Sequence, residues 1–191
     1  RDYIVNHDNK LSFAEKLGYG MGDAACGIVY SSVTMFLTWF YTDIYGLSAA
    51  AVGVMFLVTR VLDAITDPIM GAIADATSTR WGRFRPWLLA ICVPFAVSCV
   101  LVYSIPSFSD SGKIAYAVAA YIFMTLMYTA INIPYCSLGA ALTSDPRESL
   151  SLQSWRFAIT PIGGALGTAF ILPLADFLYP GDRATGIQVS M

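Results

Sequence analysis

The chain has 191 residues, of which 57% are hydrophobic and only 13% are charged, and its formal net charge is −2. Soluble domains typically carry about 25% charged residues, so this composition indicates a membrane protein. The small net charge gives no reason to expect a nucleic-acid partner. The four cysteines lie in apolar stretches without metal-ligand spacing, so they predict neither a metal centre nor a disulfide framework.

Five long apolar segments follow one another along the chain, each near the roughly 20 residues that a helix needs to cross a bilayer. They cover approximately residues 17–41, 49–74, 87–105, 114–142 and 157–178, and a sixth begins near 184. A capping-box pattern at Ser12 and Glu15 precedes the first segment. The sequence therefore predicts an all-α membrane protein with about five complete transmembrane helices and the start of a sixth.

Lysine and arginine are distributed unevenly between the two ends of these segments. One side carries Arg1, Lys10, Lys16, Arg80, Arg83, Arg85, Arg147 and Arg156, whereas the other carries only Lys113 and Arg183. Positively charged flanks stay in the cytoplasm during insertion. The N-terminus and the loops at residues 75–86 and 143–155 are therefore predicted to be cytoplasmic.

The first predicted helix carries a polar stripe at helical spacing. Its members are Asp23, Gly27, Ser31, Thr34 and Thr38. A stripe of this length inside a membrane helix is more typical of a cavity wall than of a face that contacts lipid. In the alternative interpretation, Asp23 lies near the cytoplasmic boundary and caps or pairs locally.

The second predicted helix carries three ionisable residues on one face, because Arg60, Asp63 and Asp67 are spaced three and four residues apart. A charge at the bilayer centre costs about 3 kcal/mol or more, so it persists only where it pairs, meets water or binds a ligand. Two carboxylates suit a monovalent cation such as Na⁺, or a shared proton. Alternatively, Arg60 neutralises one aspartate as a structural bridge, which leaves the other carboxylate unexplained.

The loop that follows contains Gly71 and Asp75, and then a compact basic turn with Arg80, Gly82 and Arg83. An acidic residue at a helix end followed by basic residues suits a charge-locked hinge between two helices. The alternative is a plain anchor of the positive-inside kind. The two interpretations are compatible.

The fourth predicted helix carries Tyr128, Asn132 and Cys136 on one stripe, with Thr129 beside it. Pro134 cannot donate a backbone hydrogen bond, so it frees the carbonyl group of Ala130. These neutral groups can complete the coordination of a cation that the aspartates hold. The alternative is an ordinary proline kink, with Asn132 bonded to a neighbouring helix.

The chain has no Ser/His pair, no glycine loop of the kind that binds phosphate and no His/Cys cluster, so neither an enzyme nor a cofactor is predicted. Three strings identify a family instead. They are FYTDIYGLSAAAVGVMFLVTRVLDAITDPIMGAIADATSTRWGRFRPW, YTAINIPYCSLGAALTSD and SLQSWRF. They resemble the melibiose-carrier-like glycoside–pentoside–hexuronide:cation symporters of the major facilitator superfamily. Relatives of this kind have twelve transmembrane helices in two halves, so the chain resembles their N-terminal six-helix half without the C-terminal half.

The resemblance also implies roles for individual residues. Asp63 and Asp67 match paired cation-binding aspartates, which hold Na⁺ if the carrier is sodium-coupled, and Thr129 matches a threonine of the same site. Arg156 matches an arginine that contacts sugar, and Tyr128 matches a tyrosine of the pocket. The loop residues match an expanded form of the superfamily's cytoplasmic loop motif, in which they are Gly71, Asp75, Arg80, Gly82 and Arg83.

The chain departs from the melibiose carriers where those proteins bind sugar. Cys26 and Gly27 stand in place of a lysine–aspartate pair, Asn132 in place of an aspartate, and Cys136 in place of a stacking tryptophan. Galactoside specificity is therefore not expected. Asp23 is the candidate replacement carboxylate, and the amide of Asn132 can still hydrogen-bond sugar hydroxyls.

The resemblance implies a symporter that uses Na⁺ or H⁺ to import a glycoside, pentoside or hexuronide across the bacterial inner membrane by alternating access. Its expected partners are the sugar, the coupling cation and membrane lipid. Two alternatives remain open, namely a carrier of another cargo such as a lysolipid and a non-transporting membrane sensor.

Overall fold

The computed structural model describes residues 10–104 and 110–180. Within these ranges the chain forms five α-helices and no strand, which confirms the predicted all-α fold. The helices are α1 (Phe13–Trp39), α2 (Ala49–Ala76), α3 (Arg85–Val102), α4 (Asp110–Leu142) and α5 (Pro146–Leu178), and a π-helical turn (Phe40–Ile44) continues α1. All five are long and apolar enough to cross a membrane. The sixth helix predicted near residue 184 lies outside the described residues.

The helix ends follow local capping chemistry rather than the limits of the apolar segments. Ser12 and Glu15 form the predicted capping box at the start of α1. The Asp145 side chain accepts a hydrogen bond from the backbone N–H of Arg147, and Pro146 occupies the first turn of α5. As a result α5 begins well before the apolar segment that starts at 157, and its first turns are polar.

Helices α1 and α5 pack along much of their length because small residues bring their backbones close together. A Cβ atom added at Gly163 would lie 2.9 Å from the Cβ and 3.2 Å from the carbonyl oxygen of Ala24. At Gly167 it would lie 2.5 Å from the Cγ2 of Ile28. Since apolar side chains gain little by leaving lipid, close packing of small residues is a main source of helix association in membranes.

An aromatic core joins the ends of α1, α3 and α4. Phe40, Tyr41 and Tyr103 are almost completely buried there, and the Tyr41 hydroxyl lies 3.3 Å from the carbonyl oxygen of Val102 and 3.4 Å from that of Ala117. Buried tyrosines normally find such acceptors. This core fixes one end of the bundle and leaves room for a cavity farther along α2 and α4.

The outward faces of the bundle are apolar. Large exposed side chains include Leu57, Val61, Ile65, Phe157, Leu166 and Phe170. Monomeric soluble proteins rarely expose contiguous apolar surfaces of this kind. The surface therefore agrees with the composition, and the chain is a multi-pass membrane protein.

Replacing Gly163 with alanine is expected to destabilise the bundle, because the new methyl group meets the backbone of α1 and the two helices must move apart. The apparent melting temperature of the purified protein in detergent should fall by several degrees, roughly the effect of 1–3 kcal/mol of overpacking. Gly53→Ala on α2 is the matched control, since nothing lies within 4 Å of its added Cβ. Equal melting temperatures for the two variants would contradict the close α1–α5 contact.

Candidate cation and sugar site

A cavity of about 260 Å³ lies between α1, α2, α3 and α4. Its wall contains both helix-two aspartates and the polar stripe of α4. The polar residues on this wall include Tyr30, Arg60, Asp63, Asp67, Tyr128, Thr129 and Asn132. The structure therefore brings together the three predicted cation ligands and two of the four predicted sugar contacts.

The two aspartates have different partners. The Thr129 hydroxyl donates a hydrogen bond to Oδ1 of Asp67 at 3.0 Å, which ties α4 to α2. Asp63 contacts Arg60 through its Oδ2 atom at 3.4 Å, a long contact for an ion pair, and the Arg60 side chain is 66% exposed. Arg60 therefore compensates the Asp63 charge only weakly.

Two oxygen atoms of α2 are buried, one on Asp63 in the cavity wall and one on Thr66, which lines a second pocket instead. Among the described residues, neither Oδ1 of Asp63 nor the hydroxyl of Thr66 has a hydrogen-bond partner. Buried polar groups without partners are uncommon, and each calls for an explanation such as an ion or water. Carboxylate and hydroxyl oxygens are ligands that hard cations such as Na⁺ prefer. The donor set at Asp63, Asp67 and Thr129 thus fits a monovalent cation or a proton.

The other two predicted sugar residues pair with each other between α1 and α5. The Nε atom of Arg156 lies 2.9 Å from Oδ2 of Asp23, and the Thr160 hydroxyl donates to the same oxygen at 2.6 Å. The guanidinium group also lies 5.6 Å from the ring centroid of Tyr135. Neither Asp23 nor Arg156 lines the 260 Å³ cavity. Asp23 is thus paired with an arginine of another helix and lies outside the cavity.

A family model for MFS/sugar transport proteins matches residues 18–191. The chain belongs to this family. Within it, the chain is a member of the glycoside–pentoside–hexuronide:cation symporters, which confirms the resemblance noted in the sequence.

Three relatives illustrate the relationship. The chain is 51% identical over 178 residues to the inner membrane symporter YicJ of Escherichia coli, which is 93% of this chain and 39% of the relative. It is 38% identical to the isoprimeverose transporter of Lactiplantibacillus pentosus, over 95% of this chain and 38% of the relative. It is also 38% identical to the glucuronide carrier protein homolog of E. coli, over 78% of this chain and 33% of the relative. The chain thus spans about two fifths or less of these relatives.

The predicted loop motif includes a compact turn between α2 and α3. Arg83 lies 3.8 Å from Asp75, and both side chains are more than half exposed. Gly82 has a φ of +98°, a conformation that favours glycine. The Thr79 hydroxyl donates to the carbonyl oxygen of Gly82 and closes the turn.

The other two residues of the predicted motif are Gly71 and Arg80. Gly71 lies on the α4 side of α2, where an added Cβ would reach Ile133. Arg80 packs over the ring of Trp81.

Sequence reasoning missed three residues: Thr160 and Tyr30, which the structure places in these clusters, and Thr66, which lines a separate pocket together with Thr129. Thr66 directly precedes Asp67, Thr160 follows Arg156 by one helical turn, and Tyr30 follows Asp23 by two turns. Residues four or seven positions apart lie on one face of a helix. This spacing from Arg156 and from Asp23 was the signal that could have found Thr160 and Tyr30. Tyr30 lies on the neighbouring edge of the polar stripe predicted for the first helix and is not one of its members.

The buried pair of Asp23 and Arg156 should respond to substitution more strongly than the exposed pair of Asp75 and Arg83. The side chains of Asp23 and Arg156 are only 11% and 17% exposed. Asp23→Ala therefore leaves a largely desolvated guanidinium group without its carboxylate. We expect a loss of about 3 kcal/mol in unfolding free energy, against about 0–1 kcal/mol for Asp75→Ala.

Denaturant unfolding of the purified variants in mixed micelles measures both losses. A double-mutant cycle with Arg156→Ala isolates the coupling between the two side chains. Additive effects within about 0.5 kcal/mol would contradict a direct interaction.

Proposed function

We propose that the chain forms the N-terminal half of a symporter that couples sugar import to a Na⁺ or H⁺ gradient across the bacterial inner membrane. The observation that carries this proposal is the Asp63–Asp67–Thr129 cluster on the wall of a cavity inside a bundle of helices long enough to span a membrane. Relatives named as an isoprimeverose transporter and as a glucuronide carrier homolog support a sugar as cargo.

Charge balance explains why a cation is needed. On the described cavity wall one arginine faces two aspartates, Arg60 against Asp63 and Asp67, so one negative charge remains. Leaving that charge uncompensated in a low-dielectric region is costly. A bound monovalent cation or proton neutralises it. We infer that the carrier reorients when it is empty or doubly loaded, and that cation and sugar stabilise each other's binding.

The sugar is proposed to bind beside the cation. Tyr128 and Asn132 lie on the cavity wall, and an amide can both donate to and accept from hydroxyl groups. Asp23 and Arg156 stay predictions as sugar contacts, since a sugar that reached them would have to compete with their ion pair. The wall also carries apolar side chains such as Val29, Phe56 and Met124, so the choice of a sugar over an amphiphilic cargo such as a lysolipid rests on the sugar carriers named among the relatives.

Asp63→Asn in the complete carrier should abolish cation-driven accumulation, because the amide cannot neutralise a cation. Exchange of sugar across the membrane should persist, since it does not require net cation movement. The measurement uses membrane vesicles, an imposed Na⁺ or pH gradient, and a panel of labelled isoprimeverose, methyl xyloside and methyl glucuronide. We expect accumulation to fall at least about tenfold, with exchange within about threefold of the original.

Asp176→Asn is the matched control for this substitution. It removes a carboxylate from the exposed end of α5, away from the cavity, and should leave both activities unchanged. If Asp63→Asn reduced accumulation and exchange equally at normal expression, Asp63 would not have a separate role in cation coupling. If the original carrier accumulated none of the sugars, the proposed cargo would be wrong.

The proposed orientation places the N-terminus and the α2–α3 loop in the cytoplasm. Ser78 is exposed in that loop. With the native cysteines replaced, Ser78→Cys should react with a membrane-impermeant maleimide in inverted vesicles but not in intact spheroplasts. Ser48→Cys, at the opposite end of α2, is the control and should show the reverse pattern. Labelling of Ser78→Cys from outside intact spheroplasts would overturn the orientation.

A further inference from the structure

We propose that Tyr30 is the stacking surface for the sugar ring in this cavity and that Arg60 holds it in position, an inference that rests on the proposed sugar-transport function. Tyr30 was not among the residues predicted from the sequence. Its position at the end of a row of aromatic rings and its contact with Arg60 both support this role.

Three aromatic rings form a row across the cavity wall. Tyr30 on α1 stacks on Tyr128 on α4 with ring centroids 5.4 Å apart and an angle of 25° between the planes. Tyr128 in turn lies 6.2 Å from Phe95 on α3. Tyr128 is thus the middle ring, with neighbours on two sides. Within the described part of the chain Tyr30 is the outer ring of this row, lines the cavity and remains 41% exposed.

The polar end of Tyr30 points to the cation cluster. The Nη2 atom of Arg60 donates to the Tyr30 hydroxyl at 3.3 Å, and Nη1 of the same group reaches Asp63 at 3.4 Å. One planar guanidinium group therefore connects the aromatic ring to a proposed cation ligand. Because both contacts are long, Arg60 can still direct further N–H donors at a ligand.

This arrangement matches the two kinds of surface on a sugar. A pyranose or furanose ring presents C–H bonds on its faces and hydroxyl groups around its edge. The electron-rich face of a tyrosine packs against the C–H face, while a guanidinium group donates to hydroxyls at the edge. Tyr30 and Arg60 lie side by side on the wall and offer these two surfaces together.

The shared guanidinium group also supplies a physical link between the two ligands. When a cation binds between Asp63 and Asp67, it takes over the neutralisation of Asp63. Arg60 is then released from its contact with Asp63, keeps its contact with Tyr30 and can direct its freed N–H donors at the sugar. Tyr30 contacts the sugar directly, whereas Arg60 is in part a positioning residue that acts on the tyrosine.

The test compares Tyr30→Leu with Tyr30→Phe in the complete purified carrier. The probe is the labelled sugar that the original carrier accumulates best among isoprimeverose, methyl xyloside and methyl glucuronide. Sugar Kd should rise about tenfold for Tyr30→Leu, because the aromatic face is lost. It should stay within about threefold for Tyr30→Phe, which keeps the ring and loses only the hydroxyl acceptor. Cation affinity, measured without sugar, should be retained in both variants.

Phe170→Leu is the matched control, since it removes an exposed aromatic ring of α5 that does not line the cavity, and it should change neither constant. Original sugar affinity in Tyr30→Leu would overturn the stacking role. Equal losses in Tyr30→Leu and Tyr30→Phe would also overturn it, because the hydroxyl group would then carry the effect. Loss of cation affinity together with sugar affinity in Tyr30→Leu would indicate a structural role. Failure of the original carrier to bind any of the three sugars would overturn the proposed function as well.

The positioning role of Arg60 has its own readout. Arg60→Lys keeps the charge near Asp63 but loses the planar arrangement that reaches Tyr30 and Asp63 at once. We expect it to reduce the enhancement of sugar affinity by the cation, while sugar affinity without cation changes little. If the cation enhanced sugar affinity as strongly in Arg60→Lys and in Arg60→Ala as in the original carrier, Arg60 would have no positioning role.

Discussion

A charged side chain inside a bilayer needs a partner, and this constraint organises most of the polar contacts in the bundle. Arg156 and Asp23 satisfy each other between α1 and α5, with Thr160 completing the contact. The two aspartates of α2 are less well compensated, because Arg60 reaches only Asp63 and does so at a long distance. Among the described residues, Asp23 and Arg156 thus form a neutral pair within the bundle, whereas the cluster of Arg60, Asp63 and Asp67 retains a negative charge.

The two arrangements suit different tasks. A neutral ion pair orders the interface between two helices, and it attracts a further ion only weakly because its charges cancel. An open cluster attracts a cation because the low dielectric strengthens every remaining interaction. Both arrangements lie on helices rather than on loops, so packing holds their geometry. Thr129 strengthens this further, since its hydrogen bond to Asp67 connects α2 to α4 at the level of the cluster.

Much of the fold was predictable from the sequence, because membrane-spanning helices leave a strong hydropathy signal and each needs a known length. The bounds of α5 were harder to predict, since its polar first turns form under the control of Asp145 and Pro146 rather than of apolar periodicity. The cluster of Asp63 and Asp67 was visible because the two residues share one helix face. Spacing along one helix does not specify which residue a side chain meets on another helix. The pairing of Asp23 with Arg156 and the stacking of Tyr30 on Tyr128 therefore emerged only from the structure.

The close contact between α1 and α5 has a mechanical consequence. Gly163 and Gly167 bring the two backbones within reach of each other, and a buried ion pair joins the helices in the same region. Separating the two helices would leave voids between them and two buried charges without their partners. The helices therefore resist sliding past each other. If the cavity opens in turn to the two sides of the membrane, α1 and α5 are expected to move together as one rigid unit.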